Sequence, residues 1–231
     1  MLIFNMSAYL AIEGSNLVER VLIVAKTHMG KDLACVSGLT RQSNRSIRLL
    51  TARGSHQPAD THFEVGQVWE IEFKRARRIT PPHVEDVQVI REKYIGRQSD
   101  IRETLLNRVQ PWQGEPERLY DGLLSFGDNC AAYISRGSGQ LPSCSTGYWL
   151  PTQSLKLTHI DDRTYYLIDY AFEQIGKPFV GTLRIRYVGF AEPVAEIPAQ
   201  TLVRVSLARW WRLRPDDEER CYLQLSGWYT R

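Results

Sequence analysis

Paired cysteines are missing from this chain. Cys35, Cys130, Cys144 and Cys221 lie far apart, with no CxxC and no metal-ligand spacing among them. This argues against a zinc site and against a disulfide framework. Reduced, mostly buried thiols in a cytoplasmic protein are expected instead. Long apolar runs are missing too, so no membrane partner is expected. The first residues, MLIFNMSAYLAIEGSNLVE, have no basic leading segment and are interrupted by Asn5, Glu13 and Asn16. They make a poor signal peptide, Met6 offers an alternative start, and residues 1–19 read as a peripheral extension. A general excess of charge is also absent. Net charge is only +3, so a polyanion would have to be met by a local basic patch. The chain contains no Walker loop, no GxGxxG, no GxSxG and no HxH, HxxxH or DxD pattern. No nucleotide cradle, nucleophile elbow, metal or cofactor is therefore assigned.

What is present is a sequence of strands. With 43% hydrophobic and 24% charged residues, the chain can bury a real core. From Arg20 onward RVLIVAKT, LACVSGL and RSIRLLT are short apolar runs. A loop, RGSHQPADTHFEVG, has the Gly, Pro, Asp and Ser content of a connection. In QVWEIEFKR, Trp69, Ile71 and Phe73 alternate with Glu70, Glu72 and Lys74, the pattern of a half-buried strand. VEDVQVI follows a double-proline turn. Five short strands with little helix among them predict a small antiparallel barrel or sandwich over residues 20–97.

Near Arg97 the period changes. SDIRETLLNRV spaces Ile101, Leu105 and Val109 for a helix, with Ser99 or Asp100 as its cap and Pro111 as its end. EPERLYDGLLSFG predicts a second short helix, so residues 98–127 read as a helical connector. Strands return in residues 128–231: NCAAYIS, QSLKLTHI, RTYYLIDYAF, GTLRIRYVGF, TLVRVSLARWW and CYLQLSGWY, with RGSGQLPSCSTG as a loop. The expected fold is mainly β: two small antiparallel β units, the first a barrel or sandwich, joined by a short helical connector.

The order RVLIVAKT, CVSGL, RSIRLL, VGQVWEIEF, PPHVEDV, and later LVRVSLARWW with CYLQLSGWY, resembles the dual OB-containing domain family of prokaryotes. The resemblance covers residues 20–96 and 178–229. It implies two OB-like barrels and an association with bacterial genome-conflict and phage-defence systems.

Four groups of residues are candidate sites. Lys74, Arg75, Arg77 and Arg78 crowd one strand end, and Arg184, Arg186, Arg204 and Arg209 fall near Trp210 and Trp211. Cations that track phosphates and aromatics that stack on bases are what an OB-type barrel uses on single strands. Outward arginines that are merely solvated are the bland alternative. His83, Glu85 and Asp86 follow the prolines; capping the turn and pairing with the arginines just upstream is expected of them. Lys26, Cys35 and Arg48, with His83 and Glu85, could line a small ligand pocket, although pairing of the two cations with Glu70 or Glu72 is the simpler expectation. The reading is a non-catalytic nucleic-acid-binding accessory or sensor module of an antiviral defence system, with single strands favoured. Its alternatives are an adaptor docking a partner nuclease or ATPase, and a small-ligand sensor or enzyme.

Overall fold

The computed structural model describes residues 16–127, 130–174 and 177–230, and over residues 171–180 the backbone alone. Most of residues 1–19 therefore lie outside the described residues. The first unit contains β1 (Leu17–Met29), β2 (Leu33–Thr40), β3 (Ser46–Leu50), β4 (Gln57–Pro58), β5 (Gln67–Arg75) and β6 (Asp86–Arg97). Its sheet order is β1-β5-β6-β3-β2-β4, and β1 also pairs with β2. The sheet thus closes on itself. Closure is possible because β1 is long and irregular between Ile23 and Ala25: its first half runs along β5 and its second half along β2. β3 and β6 are parallel and the other pairs antiparallel. This is the five-stranded Greek-key barrel of an OB fold. The expected alternation in β5 holds, with Trp69, Ile71 and Phe73 in a core shared with Val21, Val36 and Ile47. Gly38 lets β2 cross β1 closely, since a Cβ there would lie 2.2 Å from Val21 Cγ1.

A short helix follows, α1 (Ile101–Leu106), capped by Asp100, whose Oδ1 accepts from Glu103 N at 2.7 Å. The second expected helix is instead a 3-10 segment, Pro116–Gly122, in which Tyr120 and Asp121 adopt φ of 51° and 58°. A left-handed backbone at two successive residues cannot continue a right-handed helix. Leu119 and Tyr120 are buried in the core of the second unit, and β7 (Trp112–Gly114) joins its sheet beside β10. Much of the segment read as a connector is thus part of the second unit.

That unit continues with β8 (Ser125–Phe126), β9 (Ala132–Ser135), β10 (Thr146–Pro151), β11 (Leu155–Ile160), β12 (Arg163–Gln174), β13 (Lys177–Tyr187), β14 (Glu196–Ile197), β15 (Leu202–Leu207) and β16 (Arg220–Tyr229). Its order is β14-β11-β12-β13-β16-β15-β10-β7, with β9 on β16 and β8 on β9. β13 runs parallel to β16, as β3 does to β6. β10 pairs with β15 and β11 with β12. The two edges that the single strand β1 serves in the first barrel are therefore served here by two strands, separated by residues 152–154. β10 was not visible as a strand in the sequence, because TGYWLP carries a glycine and a proline and lacks an apolar–polar alternation.

The two units are fused along a seam. Leu22, Val24 and Leu39 of the first barrel pack with Leu105 of α1 and with Tyr148, Leu202 and Tyr229 of the second unit. Tyr229 Oη donates to Val24 O at 2.6 Å in this buried zone. At the far end of β1, His28 N donates to Val188 O and Phe190 N to Lys26 O.

Candidate nucleic-acid interface

Two loops decide the shape of the candidate site. Residues 76–85 connect β5 to β6, and residues 208–219 connect β15 to β16. They occupy equivalent places in the two barrels, between the fourth and fifth strands, where OB folds hold oligonucleotides. Here they dock onto each other. Trp210 Nε1 donates to Pro81 O at 2.8 Å. His83 Nε2 lies 3.2 Å from Leu207 O and 3.1 Å from Ala208 O. Two carbonyl oxygens at one ring nitrogen require that nitrogen to carry the proton. Burial, then the charges of Arg48 and Arg209, lower the His83 pKa to about 4, so the ring is neutral.

Behind the loops lies a buried charge network. Arg48 Nη1 donates to Asp86 Oδ1 at 2.7 Å and its Nη2 to Ser145 Oγ at 3.0 Å. Glu85 accepts from both the backbone N–H and the hydroxyl of Ser145. Arg209 Nη2 reaches Asp86 Oδ2 at 2.7 Å. Burial opposes ionisation of Asp86, but the two guanidinium groups outweigh it and hold its pKa below the usual value. Glu85 and Asp86 are 6% and 5% exposed. The expected pairing of these acids with the arginines just upstream does not occur. Each carboxylate turns inward, where partners can replace its lost water.

Lys26 and Arg48 likewise do not pair with Glu70 or Glu72, whose side chains point out of β5. Lys26 Nζ meets Glu64 Oε1 at 2.6 Å and Thr61 O at 3.0 Å. Of the residues expected to line a pocket, Arg48, His83 and Glu85 are instead engaged by Ser145, Leu207 and Ala208 of the second unit. Cys35 is buried, and His56 stands beside it, a neighbour no local pattern in the sequence indicated. Burial pushes the thiol up, yet Arg48 first, then the neighbouring His56 and the charge of Arg204, bring it down to about 7. Of the four thiols, all unpaired, Cys35 and Cys221 are buried and Cys130 is exposed. Cys130 is the exception to the expected burial of the thiols.

The basic candidates separate by burial. Lys74, Arg75, Arg77 and Arg78 are all exposed. Arg186 is exposed, and Arg184 stacks over the Tyr165 ring, 5.1 Å from its centroid. Arg204 is only 2% exposed and faces the seam near Cys35 and Tyr148. It cannot meet a phosphate in this fold. The alternation itself holds, with Val203, Val205 and Leu207 in the core of the second unit, but the opposite face of β15 is covered at the seam and not by water. Arg209 is committed to Asp86. Trp210 packs on the core of the second unit, with Arg136 5.3 Å over its ring. Trp211 is 51% exposed. Among the described residues no group of three His, Cys, Asp or Glu side chains could hold a metal ion. No helix there is long and apolar enough to cross a membrane.

Comparison with known proteins agrees with this architecture. No curated protein matches the chain. Three solved chains match. One of them, described as a murine DNA-binding protein bound with double-stranded DNA, shares 8% identity at a TM-score of 0.30, over 94% of this chain and 98% of that one. A likeness that loose carries no argument about ligand. The dual OB-containing domain family matches residues 19–228. With two units of OB strand order spanning the same residues, the chain belongs to the dual OB-containing domain family.

Proposed function

We propose that this protein binds nucleic acid on the surface made where the two equivalent loops dock. The observation that carries the reading is the Trp210–Pro81 hydrogen bond, seconded by His83 against Leu207 and Ala208. It joins into one surface the two loops that OB folds use for oligonucleotides. Exposed Arg75, Arg77 and Arg78, with Lys74, supply phosphate contacts on the first loop. Arg184 and Arg186 add cations on the second barrel. Arginine suits both roles, forking onto phosphate and stacking on flat rings. Trp211 is the exposed ring for stacking, and Trp210 holds the loops together. Single strands are the favoured ligand, because an exposed ring can stack only on bases that are not already paired. The protein works without catalysing a reaction, as an accessory or sensor in the defence setting that its family resemblance implies.

The test is fluorescence anisotropy with labelled single-stranded DNA, single-stranded RNA and duplex DNA at several salt concentrations. Binding at about micromolar Kd or tighter is expected, weakening steeply with salt. Arg75→Glu with Arg77→Glu should lower affinity about tenfold or more and flatten the salt slope. An absence of binding to all three probes at low salt would overturn the proposal. Attention would then move to docking of a partner protein, for which Trp211 and Leu213, 51% and 71% exposed, offer apolar surface.

A further inference from the structure

Beside the docked loops runs a strip of aromatic rings that neither the basic clusters nor the loop contacts account for. β9 pairs with β16 so that Tyr133 lies opposite Tyr222. Alternation sends Ala132, Ile134, Cys221 and Leu223 into the core and leaves these two tyrosines on the outer face. Their ring centroids are 5.7 Å apart, and Trp211 lies 6.2 Å from Tyr222. Trp211 is held by reciprocal backbone hydrogen bonds with Arg220, at 3.0 and 2.9 Å, which pinch the base of the loop. The Arg220 guanidinium sits 4.2 Å from the centroid of Tyr133. These rings are therefore fixed before any ligand arrives, which lowers the entropic cost of binding.

The charge around this strip differs from that of the first loop. Arg209, Arg212, Arg214 and Arg220 are matched in number by Asp216, Asp217, Glu218 and Glu219. The acids are engaged locally: Glu219 with Arg136, Glu218 with Gly137 N, and Asp217 with Arg214 N. A segment without net charge cannot lead in gripping phosphate. It can present ring faces, because stacking needs no charge. The first loop has the opposite character, with four cations in residues 74–78 and its two acids buried.

We infer that Tyr133, Tyr222 and Trp211 form a stacking platform for the unpaired bases of a single-stranded nucleic acid, while residues 74–78 take its phosphates. The inference rests on the nucleic-acid reading above and divides the labour within it. Base recognition belongs to the second barrel, and the larger share of the salt-dependent term to the first.

An abasic strand tests the division, because it keeps the phosphates and lacks the bases. Full-length protein is titrated with a short oligothymidylate and with an abasic strand of equal length. The thymidine strand should bind about fivefold to a hundredfold more tightly, the range expected for stacking on one or two rings. Tyr133→Leu and Trp211→Leu should each shrink that preference and leave abasic binding unchanged. Trp211→Phe, which keeps a ring, should preserve most of it. Arg77→Glu with Arg78→Glu should weaken both strands equally. If the leucine variants do not fold, tryptophan fluorescence decides: oligothymidylate should quench the native protein more than Trp211→Phe. Equal binding of the two strands by native protein, still salt-dependent, would overturn the platform and leave nucleic-acid binding standing. No binding of either strand would overturn both.

Discussion

His83 shows how a single residue changes meaning between sequence and structure. In the sequence it stands beside Glu85 and Asp86, as an acid–base group might. In the fold it is 1% exposed and neutral, and its Nε2–H is directed at two carbonyl groups across the seam. Its folded pKa of about 4 lies below the ordinary 6.5. Above pH 6.5 the ring is neutral in both folded and unfolded chains, so its full contribution to stability is present. As pH falls from 6.5 toward 4, the unfolded chain takes up a proton that the folded one refuses. Stability should drop by about 3 kcal/mol across that window and then level off as far as this group is concerned. Asp86, whose pKa is lowered, adds a separate loss below its ordinary value of 3.8. Urea unfolding of native protein and of His83→Gln between pH 7 and 4 checks the assignment. The variant should lose the slope above pH 4.

At the scale of elements, local pattern was readable wherever a strand is half buried. The alternation in β5 and β13 was legible, and the limits of β2 and β3 were nearly so. β10 was missed because its reasons are not local. It lies between β15 and β7, and Gly147 is there to admit a ring from outside: a Cβ on it would come 2.1 Å from Trp112. Trp149 Nε1 meanwhile donates to Gly114 O and fastens the end of β7. Gly147→Val should push Trp112 away and destabilise the protein by about 1–3 kcal/mol, the usual range for overpacking. A blue-shifted Trp112 emission should be lost with it; Trp112→Phe as background separates that signal from the other tryptophans. An unchanged melting temperature would mean that β7 is free to move aside. The end of β15 teaches the same lesson. LVRVSLARWW looks like one strand, yet the ladder stops at Leu207, and the rest turns away to meet Pro81 and Asp86.

For the whole molecule the seam matters more than either barrel. It combines apolar contact through Leu22, Val24, Leu39, Leu202 and Tyr229 with an ion-pair network that is intelligible only when both units are present. Separation would expose buried side chains, take Arg209 from Asp86 and take Ser145 from Arg48 and Glu85. The protein should therefore unfold in one calorimetric transition, with equal calorimetric and van't Hoff enthalpies. Asp86→Ala should lower that single transition by about 3–5 kcal/mol, because it leaves Arg48 buried without its carboxylate. Two resolved transitions in the native protein would show that the barrels fold independently. The seam also fixes the docked loops relative to each other, so the surface from Arg77 to Trp211 is formed in the free protein.

The sequence by itself determined the β character, the five strands of the first barrel, the basic strand end and the family resemblance. Those properties rest on side-chain period and composition, which act over a few residues. Only the tertiary structure decided which charges face water. Arg204, Arg209 and Asp86 look like surface groups in the letters, and Lys74, Arg77 and Arg78 look no different. Whether a charge is buried depends on what a distant segment lays over it. Here residues 145 and 207–209 cover the face of the first barrel, and desolvation then forces each charge they cover to find a partner. That pairing removed Arg204 and Arg209 from the candidate interface, while Trp210 became a clasp and Trp211 stayed exposed.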